Sequence, residues 1–443
     1  TKFKTFKLWL MSHNSELILT LLERAKRPVL AGILKKFWDV PIVEYADYIW
    51  VKPISLPPIE TSLLEAFEIE FCRIGCSQEQ AQHYCASLQK TRILQTATHL
   101  TVTEGPTFLA LHHLALMGLP FGETYLVGSF SGIPYANSAW SGCLNYSNRF
   151  DLEALINPQA TNFSGLKREE VDRFRDSPEK RISLIPGKMR DSLVFQSKIP
   201  QKLVNLQSYF TEPIRKITPI AEYGGDFTVW SSKFCAKQLN RIIPGKSLLY
   251  FDLNEVVRNY LLKVLQNSSH PFYRLLFDRR IRERAFEEFS LETSLFTIQV
   301  LRKNKIRQES LRLNGEMLVS QNFKLQLSQE KVINELKNGS LCPGQFFVFS
   351  TLVFINGLTC FGGFNQVEYL AGYKSSWIKI DLLDQEVLRN VNVSALTSGR
   401  CVDESQAVVY PLDLLLGLEW DFPKNITVGE LIYPLLCRLG VTI

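Results

Sequence analysis

The residues best suited to chemistry begin at a turn where a β-rich stretch gives way to an apolar helix. Thr103, Glu104, Gly105 and Thr107 surround Pro106, and proline is favoured in the first turn of a helix. The amides at such a helix start attract a phosphate or a carboxylate. We therefore expect Thr103, Gly105 and Thr107 to contact a ligand, with Glu104 as a candidate general base.

Three of the six histidines lie close to this turn, at His99, His112 and His113. Consecutive residues on a helix point in different directions, so at most one of the adjacent pair faces a cleft. We take His112 as the second candidate base and His99 as a ligand contact. The alternative is that all three rings are packed or hydrogen-bonded parts of the structure.

A loop of small residues follows the next predicted strand and could let a ligand approach the backbone. Phe130 stands between its glycines, which excludes the strand-to-helix turn that presents a nucleophilic serine. A purely structural loop remains the alternative. The candidate ligand contacts are Gly128, Ser129, Ser131, Asn137 and Ser138.

A pair of glycines near residue 362 precedes another predicted helix. Gly362 and Gly363 are followed by Asn365 and Gln366, and Asn365 to Glu368 has the spacing of a capping box. Consecutive free amides at such a turn can bind an anion. The alternative is a tight strand-to-helix turn in which Glu368 only caps the helix.

The predicted elements that must position these residues alternate between strands and helices. Residues 92–103 and 124–130 are predicted strands with a helix between them, which makes a βαβ unit and parallel pairing. A further strand over 248–252 precedes a helix over 254–265, and Asn314-Gly315 predicts a hairpin.

We therefore expect an α/β fold with a Rossmann-like parallel sheet as its core. We expect a helical N-terminal region over residues 1–90 and a core with helical and hairpin insertions over residues 91–378. A C-terminal region of helices and loops should follow over residues 379–443. Ligands bind beyond the carboxyl ends of parallel strands. The turns at 103–107, 128–138 and 362–363 are therefore expected to share one pocket.

The composition limits which classes of molecule the protein is expected to bind. The formal net charge is +6. The basic residues are not clustered in the sequence in the way that is typical of proteins that bind nucleic acid. Nine cysteines without a framework predict reduced thiols, no zinc site and a cytoplasmic protein. The longest apolar run, over 346–355, is about half a membrane span. We expect a small anionic or amino-acid ligand, no metal, no nucleic acid and no membrane, and a homodimer is compatible with the sequence.

The segment 302–374 resembles one known family, the cysteine-adding enzymes of bacillithiol biosynthesis. Those proteins carry a Gly-Gly-x-Gly-Glu-x-x-Tyr element, which Gly362, Gly363 and Tyr369 match. Asn365 and Gln366 stand where the family has its later Gly and its Glu. Upstream, Gly105 and Pro106 match the family's Gly-Pro turn, whose preceding glutamine pair is missing here. The resemblance spans residues 90–375, and neither the family's acidic strand end near residues 131–138 nor its C-terminal coiled coil is present.

The resemblance implies a bacterial biosynthetic enzyme of the ligase or transferase kind, which joins an amino acid such as cysteine to an amine. The cofactor stays open, with a nucleotide as the class that the helix starts favour. The missing acidic residues favour the alternative, a catalytically silent relative that binds a metabolite or a protein.

Overall fold

A parallel β-sheet lies at the centre of the computed structural model. Strand β1 spans Ile93–Gln95, β2 Tyr125–Ser129, β5 Leu248–Asp252 and β12 Thr359–Phe361, in the spatial order β12-β1-β2-β5. The structure describes residues 18–51, 56–99, 106–131, 143–146, 180–183, 227–289, 295–302, 305–415 and 417–438.

The predicted βαβ unit is confirmed. β1 and β2 are adjacent and parallel, with Gln95 opposite Val127, and the helix Pro106–Met117 connects them in sequence. β2 also pairs with β5, and β1 with β12, in parallel. Four strands that run the same way bring their carboxyl ends to one edge, which is the requirement for a shared site.

Alternation of side chains along the strands divides the core in two. Leu94, Leu126 and Phe251 belong to one hydrophobic cluster, whereas Tyr125 and Tyr250 belong to the other. Successive strand residues point to opposite faces, so the sheet is buried on both sides. The fold is therefore mixed α/β, with helices on both faces of the sheet.

Helices cover both faces and surround the carboxyl edge. In chain order they are α1 Pro28–Phe37, α2 Ile42–Ile49, α3 Thr61–Arg73, α4 Gln78–Thr91, α5 Pro106–Met117, α6 Phe227–Ile242, α7 Leu253–Val264, α8 Pro271–Phe277, α9 Arg279–Phe289, α10 Gln329–Lys337, α11 Gln345–Phe349, α12 Phe364–Ile380, α13 Gln385–Asn390, α14 Pro411–Leu415 and α15 Val428–Arg438. The apolar run predicted near residue 346 forms α11 and continues as a buried π-helix, Ser350–Ile355.

Smaller sheets are antiparallel. The predicted hairpin at Asn314 is confirmed, since β8 Arg312–Asn314 pairs with β9 Met317–Val319 around a turn in which Gly315 has a φ of 60°. The other strands are β3 Cys143–Tyr146, β4 Lys180–Ser183, β6 Phe296–Arg302, β7 Lys305–Ser310, β10 Lys324–Gln326 and β11 Leu341–Pro343. Of these, β11, β6 and β7 form one three-stranded sheet.

Two further predictions concern thiols and membrane spans. In the described part of the chain, eight cysteines are free thiols, five of them buried. No helix among the described residues is both long enough and apolar enough to cross a bilayer.

Candidate functional site

A cavity of about 620 Å³ opens at the carboxyl edge of the parallel sheet. Each strand of the sheet is followed by residues that line it: His99 beyond β1, Phe130 beyond β2, Asn254 beyond β5 and Gly363 beyond β12. The cavity therefore lies where ligands of parallel α/β proteins bind.

The sheet is extended at this edge by a segment from the C-terminal region. Leu396 forms a parallel bridge with Gly362, the Thr397 amide donates to the Gly362 carbonyl at 2.8 Å, and Gln95 Nε2 donates to Thr397 Oγ1 at 3.1 Å. These bonds place Thr397 and Ser398 in the cavity wall beside the start of α12.

Gln366 ties two strand ends together below the cavity. Its Nε2 donates to Thr96 Oγ1 at 2.8 Å and to the Cys360 carbonyl at 3.2 Å. The space for this amide exists only because residue 362 is glycine, since a Cβ at Gly362 would come within 2.1 Å of the Gln366 side-chain carbon Cδ. Gly362 and Gln366 therefore form one structural unit, in which Gln366 also lines the cavity.

Gly363 has a different role from its neighbour. A Cβ at Gly363 would meet no atom within 4 Å, and the backbone there is extended, with φ −85° and ψ −174°. Any residue can adopt this conformation without strain. A larger side chain at position 363 would therefore project into free space that belongs to the cavity.

A buried polar network fixes the wall formed by β2 and β5. Ser131 Oγ donates to Asp252 Oδ2 at 2.5 Å, and the Ser131 amide donates to Asn254 Oδ1 at 2.9 Å. Asn254 Nδ2 in turn donates to the Pro343 carbonyl at 2.9 Å. The network holds Asn254 and Pro343, both of which line the cavity, in fixed positions.

Two buried acids lie next to each other in this network. The Asp252 amide donates to Glu70 Oε1 at 2.8 Å, and Glu70 pairs with Arg73 at 2.6 Å. Burial raises the pKa of Glu70 to about 7, although Arg73 acts in the opposite direction. Burial, followed by the charges of Glu70 and Glu255, also raises the pKa of Asp252 well above its ordinary value.

The described lining of the cavity contains one permanent charge, and it is positive. Within the described lining, Arg27 is the one side chain with a permanent charge, and none carries a carboxylate. Uncharged donors and acceptors make up the rest of the polar surface. They come from Thr96, Thr107, Asn254, Thr297, Gln345, Asn365, Gln366, Tyr369, Thr397 and Ser398.

Five of the predicted contacts line this cavity. They are His99, Thr107, Gly363, Asn365 and Gln366. Three more, Gly128, Ser129 and Ser131, lie behind its wall: Ser129 bonds Thr98 at 2.5 Å, and a Cβ on Gly128 would collide with Leu253. Five further predictions, Thr103, Glu104, Gly105, Asn137 and Ser138, lie outside the described residues.

His112, a predicted general base, lies away from the cavity. Its Nδ1 is 3.0 Å from the Tyr125 hydroxyl and its Nε2 is 2.8 Å from the Tyr250 hydroxyl. With both ring nitrogens engaged and the side chain buried, His112 is a structural residue. Its neighbour His113 stacks on Phe422 with ring centroids 4.5 Å apart, and burial lowers the pKa of His113 to about 3.

Several lining residues were not predicted from the sequence. Asn254 follows a predicted strand, so the strand-end argument applied to 103–107 would have found it. For Tyr369, the sequence offers only its match to the family motif. Burial raises the pKa of the Tyr369 hydroxyl. Arg27 and Ser398 gave no signal, because each comes from a segment distant in sequence from the strand ends.

No cluster of three or more histidine, cysteine or acidic side chains suited to a metal ion occurs within the described ranges. No protein-family model and no curated protein matches the chain.

Proposed function

We propose that this protein binds a small molecule carrying a carboxylate or phosphate group at the carboxyl edge of its parallel sheet. The observation that carries the proposal is the composition of the cavity, where an arginine and uncharged polar groups meet without a carboxylate in the described lining. The volume of about 620 Å³ is within the range typical of small-molecule sites.

Helix starts reinforce the preference for an anion. α12 begins at the cavity after Gly363, without a side-chain cap. The first turn of α5 contributes Thr107 and Phe108. Amides at helix starts carry partial positive charge, so a negative group is stabilised at this edge.

The rest of the ligand should be less polar than its acidic group. Phe108, Leu111, Phe130, Phe364 and Leu435 line the cavity together with the polar residues. Aromatic rings offer surfaces on which a planar group can stack. A nucleotide or an aminoacyl compound has both kinds of group, and these classes are our candidate ligands.

A Rossmann-like core is part of the proposal. It is supported by the all-parallel order β12-β1-β2-β5 and by the helices on both sheet faces. We also keep a cytoplasmic location as a proposal, for which the free thiols are the support.

A ligase- or transferase-type reaction is the second candidate function. It is favoured by the presence of Gly363 and Tyr369, two residues of the resembled motif, in the same cavity as His99. In such a reaction the amine nitrogen bonds to the carbonyl carbon of an activated amino acid, the activating group leaves, and His99 accepts the amine proton. Turnover on adding an amine would distinguish this enzyme from a protein that only binds.

The binding proposal is tested with a matched pair of glycine variants. Gly363→Val places a branched side chain in the cavity at the start of α12, whereas Gly372→Val adds the same atoms to α12 at an exposed position that also has free space. We expect ATP, inorganic phosphate or cysteine to raise the melting temperature of the wild type and of Gly372→Val. Gly363→Val should fold and lose the response. An equal response in both variants would contradict binding in this cavity.

A further inference from the structure

Ser398 is a buried hydroxyl in the wall of the cavity. It is 3% exposed and lines the cavity, and within the described residues its side chain has no hydrogen-bond partner. The Ser398 hydroxyl is therefore available to accept a hydrogen bond from a ligand atom in the cavity, or to donate one to it.

The position of Ser398 is set by its neighbour. Thr397 is bonded to the Gly362 carbonyl, so the next residue lies beside the first turn of α12. That turn begins at Gly363, where no side chain caps the helix. An uncapped helix start and the Ser398 hydroxyl are therefore adjacent, and both Gly363 and Ser398 line the cavity.

Arg27 approaches the same place from α1. The Glu368 carboxylate, in the second turn of α12, accepts from the Leu30 amide at 2.8 Å and from the Val29 amide at 3.4 Å. These bonds join the start of α1 to α12, and Arg27 immediately precedes α1. Because Glu368 already occupies the amides of α1, the start of α12 is the end still open to a ligand anion.

We propose that Ser398, Arg27 and the first-turn amides of α12 form the subsite for the acidic group of the ligand. The subsite takes a carboxylate or a phosphate, with the less polar part of the ligand directed toward Phe108 and Phe130. This inference rests on the proposed function, since it assigns an orientation to the same ligand.

A charge substitution tests the subsite without knowledge of the ligand. Ser398→Asp places a carboxylate where the ligand's acid would lie, and Ser398→Asn adds a neutral group of the same size. At pH 7 the aspartate variant should melt about 1–3 °C above the asparagine variant, as a negative charge at a helix start requires. An aspartate variant that melts at the same temperature or lower would overturn the subsite.

A second measurement covers the case in which either variant fails to fold. Ser398→Ala should require about five- to tenfold more inorganic phosphate, or more acetate, than the wild type to reach the same melting temperature at constant ionic strength. Ser394→Ala, an exposed serine of the same segment, is the control. A response to phosphate or acetate identifies which acid the subsite prefers.

These experiments distinguish a failure of the proposed subsite from a failure of the proposed function. If anions protect wild type and Ser398→Ala equally, the subsite is wrong and binding of an anion to this protein still stands. If no anion protects the wild type while Ser398→Asp still melts above Ser398→Asn, the subsite stands and the ligand classes proposed above are wrong.

Discussion

Glu70 and Asp252 show, at the scale of single residues, how the protein buries acids near the carboxyl edge of its parallel sheet. Both side chains are fully buried, and the Asp252 amide bonds directly to the Glu70 carboxylate. The ion pair with Arg73 offsets only part of the cost of burying Glu70, because its pKa remains raised to about 7. Glu70 therefore titrates near neutral pH in the folded protein.

This pKa predicts how stability depends on pH. An acid with a raised pKa in the folded state contributes stability below its unfolded pKa of about 4.3, and that contribution is lost as the pH rises through about 7. Glu70→Gln removes the titration, so the melting temperature of this variant relative to the wild type should increase between pH 5 and pH 8. Glu65→Gln, exposed on the same helix, is the control. A constant difference across this range would show that Glu70 titrates elsewhere.

Sequence reasoning predicted residues of the cavity lining where a strand end or a glycine turn marked them. His99, Thr107, Gly363, Asn365 and Gln366 were predicted in this way and line the cavity. It could not identify Arg27 or Ser398, whose positions depend on how remote segments pack. His112 was predicted as a general base but lies away from the cavity, between two buried tyrosines. A histidine in either position has the same local sequence pattern.

At the scale of elements, local rules predicted helices better than they predicted the partners of helix ends. The spacing of Ser77 and Gln80 predicts a capping box at the start of α4, and both of its hydrogen bonds are present. The predicted box from Asn365 to Glu368 is wrong, because the N-cap of α12 is Gly363, two residues before Asn365, and Glu368 caps α1 instead. A contact between residues 338 positions apart leaves no local signal in the sequence.

The cap by Glu368 gives a prediction for this pair of helices. Glu368→Gln keeps the size of the side chain and removes the charge that interacts with the start of α1. The loss should be about 1 kcal/mol, or roughly 2 °C in melting temperature. Glu386→Gln, at an exposed position in the first turn of α13, is the matched control. Equal melting temperatures for the two variants would contradict a capping role across helices.

A second element-scale difference concerns residues 272–289, where the sequence predicts one continuous helix. It is broken in the structure into α8 and α9 at Asp278, whose Oδ1 accepts from the Arg280 amide at 3.0 Å and so starts a new helix. The apolar periodicity of the sequence continues through the break at Asp278, so it does not predict the break. Periodicity indicates which face of a helix is buried and not whether the backbone is continuous.

At the scale of the whole molecule, the fold explains why residues far apart in sequence form one site. The parallel sheet brings the ends of β1, β2, β5 and β12 to one edge, and the segment at Leu396 extends it. The βαβ pattern predicted the β1–β2 pair. It did not predict that β12 lies beside β1, because strand order depends on long-range packing that one sequence does not encode locally.

The central claim is that the cavity at this edge binds an anionic small molecule. The most direct test is native mass spectrometry of the protein after equilibration with a small-molecule extract of the cells that produce it. The wild type and Gly372→Val should each retain an acidic molecule small enough for a cavity of about 620 Å³, and Gly363→Val should not retain it. Retention of no molecule by the wild type, or equal retention by Gly363→Val, would contradict the claim.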